Sequence, residues 1–415
     1  MKPGIYTADQ LPNEEYHALD AISKSDLDKI NRSPAHYKYA KENPTPPTPA
    51  MERGTAVHMA VLEPELFARS YAPEFDASAH PDALRSVDEI KNAIVEHNAS
   101  LSGIVTATDI MVAIDAHNAT LRQPIKARSR ADKIAALMET GGEYANQERL
   151  DGLSNDEIKA VVDDYNAKLP QPLKATKKMT RDELIDEVAK HNKAKAAEYR
   201  AAPAPVTLDG NKPDLIDKLL AANPDAKVLD KLASDYGRQH AGAKFLPAEE
   251  YDRFIGMRDA VMAHPLAAAL FDDGAAEMSI IADDDGTLIK CRPDWYNPKR
   301  KLIIDLKTTT DARPDSFMRS CVNFRYDVQS AWYPHVAIKA GIECEAFVFL
   351  AVEDRAPFGV RVYYASEAMF RIGADKSTAD YELLKTCRAN DNWPGYDATI
   401  CEIDLPNWEK SKHEQ

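Results

Sequence analysis

The sequence predicts an α/β core, a central mixed sheet flanked by helices, interrupted by an inserted helical domain. Two observations carry this. Short apolar runs bounded by turn residues recur between residues 277 and 364, with helical periodicity before, between and after them. From about His80 to Phe245 the chain instead becomes rich in alanine, lysine and acidic residues and repeats itself.

The predicted strands are Glu277–Ile281, Thr287–Tyr296, Lys301–Thr308, Ala346–Val352 and Gly359–Tyr364. The predicted helices are Lys24–Ile30, Thr55–Leu62, Ala248–Met262, Tyr326–Ala340 and Ser366–Arg388. Residues 1–79 and 246–415 are expected to form a discontinuous core, with 80–245 as the insertion. Asn43–Pro49 reads as a stiff extended connection. Asp283-Asp-Asp-Gly286 reads as a hairpin turn, because it lacks the spacing and closing glutamate of a calcium loop. Asn297-Pro-Lys-Arg-Lys301 is a polar turn whose hairpin brings Asp294 close to Asp305.

That hairpin carries the chemistry. In a strand, alternate side chains share a face, so Asp305 and Lys307 project together while Leu306 points into the core. Leu302, Ile303, Ile304 and Leu306 make the strand largely apolar, which places both charges at the edge of a core, where they need partners or a metal. Two carboxylates, joined by Glu277, suit hard divalent cations such as Mg²⁺ or Mn²⁺. Gln329 and Tyr333, four residues apart on a predicted helix, reach one face. His58, among Val57, Met59, Ala60, Val61 and Leu62, reads by itself as a buried core histidine.

Several segments, taken in order, carry a resemblance. They are Ser23-Lys-Ser-Asp-Leu-Asp28, Ser33-Pro-Ala-His-Tyr37, Gly54-Thr-Ala-Val-His58 with its continuation to Pro64, and Cys291-Arg-Pro-Asp294. Asp305-Leu-Lys-Thr-Thr309, Tyr326-Asp-Val-Gln329-Ser-Ala-Trp-Tyr333, Asn392-Trp-Pro394 and Leu405-Pro-Asn-Trp408 follow. Together they resemble the PD-(D/E)XK (restriction-endonuclease-like) nuclease superfamily, and within it the RecE-type (exonuclease VIII) prophage exodeoxyribonucleases. The resemblance implies that Glu277, Asp294 and Asp305 are metal-site carboxylates, that His58 is a further ligand, and that the Leu306 carbonyl completes the shell. Lys307 would orient the attacking water and stabilise phosphate charge, with Gln329 and Tyr333 facing the site.

The same resemblance implies a Mg²⁺-dependent hydrolase, with Mn²⁺ as a substitute, that degrades one strand of linear double-stranded DNA 5′→3′ and leaves 3′ single-stranded tails. It also implies DNA ends as substrate, a homo-oligomeric ring, and a RecT-type single-strand annealing protein as partner in phage recombination. Ser23, Lys24, Ser25, Lys177, Lys178, Lys299 and Arg300 are candidate DNA contacts. A superfamily endonuclease is the nearest alternative. A catalytically silent DNA-binding adaptor is another, and the intact set Glu277, Asp294, Asp305 and Lys307 speaks against it, since such charges without metal destabilise a core.

Composition bounds these readings. A chain of 415 residues suggests two or three domains, and 44% hydrophobic with 29% charged residues describes a soluble globular protein. No stretch approaches a membrane span, and the first residues lack the apolar run of a signal peptide, so a cytoplasmic location is expected. A net charge of −15 argues against coating nucleic acid by bulk electrostatics, leaving local patches such as Lys299-Arg300-Lys301 or Lys174 with Lys177-Lys178. Five scattered cysteines without a C-x-x-C pair read as reduced thiols; some relatives in the superfamily that the chain resembles hold an iron–sulfur cluster with one cysteine upstream of the core and three downstream, and because none precedes Cys291 no such cluster is expected.

Within the insertion, Ser86–Asn98, Thr106–Asn118, Ser154–Asn166 and Thr180–Asn192 resemble one another. Each begins with a Ser/Thr cap, places acidic residues in its first turn and closes near asparagine, the pattern of a short capped helix. Prolines keep Ala167–Met179 extended, and Ala201–Val206 reads as a linker before a candidate helix at Pro213–Ala222. Helix, extended basic linker, helix is the plan of SAP-like helix-extended-helix modules, which would tether the enzyme to DNA; the plain alternative is a helical insertion that packs on a neighbour.

Overall fold

The computed structural model describes residues 2–405 and Lys410, so Pro406, Asn407 and Trp408 of the expected tail motif lie outside the described residues. The described residues form two compact units: one comprises the chain up to Phe75 and from Gly237 onward, the other Asp76–Tyr236.

In the first unit, β1 (Gly4–Tyr6), β5 (Ser279–Asp284) and β6 (Thr287–Cys291) make an antiparallel sheet in the order β1-β5-β6. A mixed sheet in the order β10-β9-β8-β7-β4 combines β4 (Ala275–Ala276), β7 (Trp295–Asn297), β8 (Leu302–Thr309), β9 (Ala346–Glu353) and β10 (Val360–Tyr364). β8 and β9 run parallel, joined through the helices Pro314–Asn323 and Tyr326–Lys339, as a parallel pair demands. β2 (Tyr71–Pro73) and β3 (Lys244–Leu246) pair side by side where the chain leaves this unit and returns to it.

The central strand β8 explains the layers. Ile303 packs in a cluster with Trp332, Phe347 and Phe349, whereas Ile304 and Leu306 join Ala60, Val61, Val348 and Leu350. A strand apolar on both faces must be covered on both. Helices Pro49–Leu62 and Ala248–Ala263 cover one side; Lys24–Arg32, Tyr326–Lys339 and Glu367–Asn390 cover the other.

Two expectations are corrected. The strand expected at Glu277–Ile281 begins at Ser279, and the one expected at Thr287–Tyr296 is broken between Cys291 and Trp295, because both legs of this hairpin pass from one sheet to the other. Glu277 takes a left-handed backbone (φ 52°) between β4 and β5, and Pro293, which has no N–H for a ladder, lies between β6 and β7. The His58 helix begins at Pro49 rather than Thr55: Thr48 accepts from the Met51 N–H at 3.3 Å, and proline suits the first helical position. The expected extended run 43–49 therefore stops at Thr48.

The Asp76–Tyr236 unit has three small helical cores. Val87–Ser100 packs with Lys212–Ala222, Ala107–Thr120 with Arg181–Ala189, and Arg130–Thr140 with Asn155–Lys168. Capping boxes open the helices at Ser86, Thr106, Ser154, Thr180 and Asn211.

Candidate metal centre

The bend between the two sheets is where the acidic side chains gather. The Glu277 N–H donates to the Asp294 carbonyl at 3.1 Å, tying the two turning points of the hairpin together. The left-handed backbone at Glu277 stays in place because Ala275 and Ala276 pair with Tyr296 and Trp295 on one side and Ser279 begins β5 on the other. Asp294, 8% exposed, accepts from the Leu306 N–H at 2.6 Å through Oδ2, and its Oδ1 lies 3.3 Å from His58 Nδ1. His58, Glu277 and Asp294 each offer a donor atom, all within 4.8 Å of one another.

Asp305 lies on β8 one residue before Leu306 and is 2% exposed. Gln329 Nε2 donates to its Oδ1, and Lys307 Nζ is 2.5 Å from its Oδ2. Oδ2 is buried, and among the described residues the Lys307 ammonium is its polar partner. The Lys307 ammonium rests over the Tyr326 ring, 4.5 Å from its centre. Leu306 packs in the opposite apolar layer, and since a strand residue directs its N–H and C=O to the same edge, its carbonyl faces the side where Asp294 sits. Tyr333, one turn after Gln329, packs near Phe347 and makes no side-chain hydrogen bond to either carboxylate.

Burial and neighbouring charges shift the ionisation of these groups. Burial and the Asp294 charge push the Glu277 carboxyl up to about 7, against His58 and Arg292. Burial pushes Asp305 up to about 6 despite Lys307, with Asp294 adding to the rise. Burial also acts on Asp294, but His58, Lys307 and the Leu306 N–H outweigh it and hold that carboxyl below its ordinary range. Burial disfavours the His58 cation, yet Asp294, Asp305 and Glu277 raise the imidazole to about 9. The Tyr333 hydroxyl is raised by burial first and then by Asp305. The three donors of His58, Glu277 and Asp294 within one coordination sphere fit a divalent cation; Asp305, whose Oδ2 is engaged by Lys307, is not one of that trio.

A cavity of about 470 Å³ opens beside these groups, lined by Asn13, His17, Thr55, His58, Glu277 and Arg292. Sequence reasoning missed Arg292, although it lies within the quoted Cys-Arg-Pro-Asp run. Its guanidinium stacks 4.2 Å from the Tyr16 ring centre and donates to Ser279, Asn13 and the Leu11 carbonyl, pinning the N-terminal segment against β5. Asn13 and Tyr16 carried no sequence signal, since their role depends on a partner almost 280 residues away.

The candidate DNA contacts divide. Ser23 and Ser25 are engaged in the cap of the Lys24–Arg32 helix, with Ser23 Oγ donating to Asp26 at 2.7 Å and lying 2.9 Å from Ser25 Oγ. Lys24 is paired with Asp28 at 2.7 Å and donates to the Phe324 carbonyl at 2.9 Å. Arg300 is paired with Asp272 at 2.9 Å, and Lys299 is exposed beside it at the turn, the end of β8 away from Asp305 and Lys307. Lys177 and Lys178 are exposed in the second unit.

Among the described residues no helix is long and apolar enough to cross a membrane. No curated protein matches the chain. Two solved structures are similar in part. A crystal structure named as that of a candidate exonuclease from Eubacterium rectale is 12% identical, with 52% of this chain and 83% of that one covered at a TM-score of 0.30. That of SSO0001 is 14% identical, with 36% and 69% covered at a TM-score of 0.19. Residues 226–404 match the family model of a PDDEXK-like domain of unknown function (DUF3799). That stretch holds Glu277, Asp294, Asp305, Lys307, Gln329 and Tyr333 but not His58, and the order Pro293-Asp294, then Asp305-Leu-Lys307, supports the PD-(D/E)XK superfamily for this part of the chain.

Proposed function

We propose that the protein is a metal-dependent deoxyribonuclease. The observation that carries this reading is the meeting of His58, Glu277 and Asp294 within 4.8 Å, linked through the Leu306 N–H to the buried Asp305–Lys307 pair. His58, Glu277, Asp294 and Asp305 would hold a divalent cation, Mg²⁺ or Mn²⁺. Such a cation supplies charge for the attacking and leaving oxygens of an in-line phosphoryl displacement and brings water towards deprotonation near neutral pH. Asp294 orients His58, Gln329 orients Asp305, and Lys307 sets its ammonium where phosphate charge would develop. No side-chain nucleophile is required.

The finer reading is an exonuclease of the RecE type: 5′→3′ degradation of one strand of linear duplex DNA, 3′ single-stranded tails, a ring-shaped homo-oligomer and a RecT-type annealing partner in prophage recombination. Its support is the ordered set of segments from Ser23 to Asn392 that resembles that family. Digestion of linear duplex DNA labelled separately at each end, with closed circular DNA alongside, tests it. Early release of the 5′ label with the circle intact is expected; early release of the 3′ label, or nicking of the circle, would overturn the exonuclease reading.

A further inference from the structure

Two repeats of the insertion do not fold on themselves. Residues 106–140 and 154–189 share one plan: a capped helix, an asparagine near its end, an extended run, and a second helix. The runs are Gln123-Pro-Ile-Lys-Ala127 and Gln171-Pro-Leu-Lys-Ala175. Yet the Asn118 side chain donates to the Leu173 carbonyl at 2.9 Å and accepts from the Leu173 N–H at 2.8 Å. Asn166 clamps Ile125 in the same way, at 3.1 and 2.8 Å. Each asparagine thus imitates a strand neighbour for one residue of the other repeat. The cores follow: Ile110 and Ile114 pack with Leu184 and Ile185, and Ile158 and Val162 with Ile134 and Leu137. The repeats have exchanged halves.

This exchange fixes where the linkers run. One leaves the Ala107–Thr120 helix and is clamped at Ile125; the other leaves the Asn155–Lys168 helix and is clamped at Leu173. Both bridge the same two helical pairs, in opposite directions, and five residues reach at most ~18 Å. Both linkers therefore share one junction. Leu121–Ala131 carries four cations and no carboxylate, and Lys168–Arg181 five cations and none, within a chain of net charge −15.

Some of these cations have structural partners. Arg122 donates to the Thr140 carbonyl, Arg130 to those of Asp151 and Leu153, and Arg181 to those of Val105 and Ala202, while Lys168 pairs with Asp164. Lys126, Arg128, Lys177 and Lys178 are exposed, and among the described residues their side chains have no hydrogen bond or ion pair. We propose that these two linkers, which cross at that junction and then run back along the helices that clamp them, bind the phosphate backbone of duplex DNA through these four side chains. The choice of DNA as the polyanion rests on the nuclease reading. An anionic membrane fits less well, because neither linker exposes a large apolar side chain to enter a bilayer. Contacts of this kind position a duplex without reading its sequence.

The test is fluorescence anisotropy of a labelled 30-base-pair duplex with the full chain, in EDTA, across a salt series. The variant Lys126→Ala/Arg128→Ala/Lys177→Ala/Lys178→Ala changes only exposed side chains, and its circular dichroism should match the parent. The expected result is an affinity about tenfold lower or more, with the slope of log affinity against log salt reduced by about 3. Unchanged affinity and slope would overturn the proposal. So would a variant that loses only its binding to phosphatidylserine vesicles. Hydrolysis does not occur in EDTA, so failure of the nuclease reading would show separately, as absent metal-dependent cleavage by the unaltered protein.

Discussion

The Leu306 N–H donates to Asp294 Oδ2 at 2.6 Å, and this one hydrogen bond joins the bend of the hairpin to the central strand. It fixes one carboxylate oxygen, which leaves Oδ1 aimed at His58. It also sets Asp294 beside a strand whose next side chains, Asp305 and Lys307, face the opposite layer from Leu306. The site is thus a product of backbone geometry before it is one of charge.

The crowding of carboxylates makes a stability prediction. A carboxyl whose folded pKa lies above its unfolded value weakens the fold above that unfolded value, fully so once the pH exceeds the folded pKa, about 7 for Glu277. In EDTA at pH 8, Glu277→Gln should therefore raise the melting midpoint, by the equivalent of roughly 1–2 kcal/mol. In excess Mn²⁺ the order should reverse, since only the parent keeps the full ligand set. Scanning calorimetry under both conditions checks this, and a midpoint lowered in EDTA contradicts it.

Protons and cations compete for the same atoms. Below pH 6, Asp305 (about 6), Glu277 (about 7) and His58 (about 9) all hold protons that a cation must displace. Mn²⁺ affinity should rise steadily from pH 6 to 9 and binding should release protons at pH 7. Titration calorimetry in two buffers of different ionisation enthalpy measures that release; no buffer dependence would contradict the ligand set.

His58 adds a nitrogen to an otherwise oxygen donor set. Imidazole suits transition metals better than Mg²⁺, so half-saturation should come at lower Mn²⁺ than Mg²⁺. His58→Ala should raise the Mn²⁺ requirement by about tenfold and narrow that difference. An unchanged metal dependence would return His58 to the plain core role that its apolar neighbours suggest.

Gln329 acts through Asp305. Gln329→Ala removes the donor to Asp305 Oδ1 and should lower the hydrolysis rate about 10–100-fold while metal binding persists. Gln329→Glu should be worse, because it sets a further carboxylate against Asp305. Metal titrations followed by rate measurements at saturation separate the two effects.

Much of this was legible in the chain. Strand geometry put Asp305 and Lys307 on one face and Leu306 in the core, and the i, i+4 spacing put Gln329 and Tyr333 on one helix face without showing that Gln329 rather than Tyr333 donates to Asp305. The break in both hairpin legs was not legible, because a period-two pattern runs through Glu277 and Pro293 alike and only pairing with two different sheets reveals the bend. Arg292 was visible as a residue but not as a clamp, since its partners Asn13 and Leu11 lie at the far end of the chain. Likewise the repeats of the insertion showed their helices but not their exchange of halves, because either pairing satisfies the same caps and apolar positions.

The central claim is that Asp305 belongs to a metal centre that hydrolyses DNA. The most direct measurement is Mg²⁺- or Mn²⁺-dependent digestion of linear duplex DNA by the parent protein and by Asp305→Ala side by side, with DNA binding followed in the same samples. The account predicts cleavage by the parent alone, with binding retained in both. Equal cleavage by the two proteins would contradict the site assignment, and no cleavage by the parent with either metal would contradict the enzyme itself.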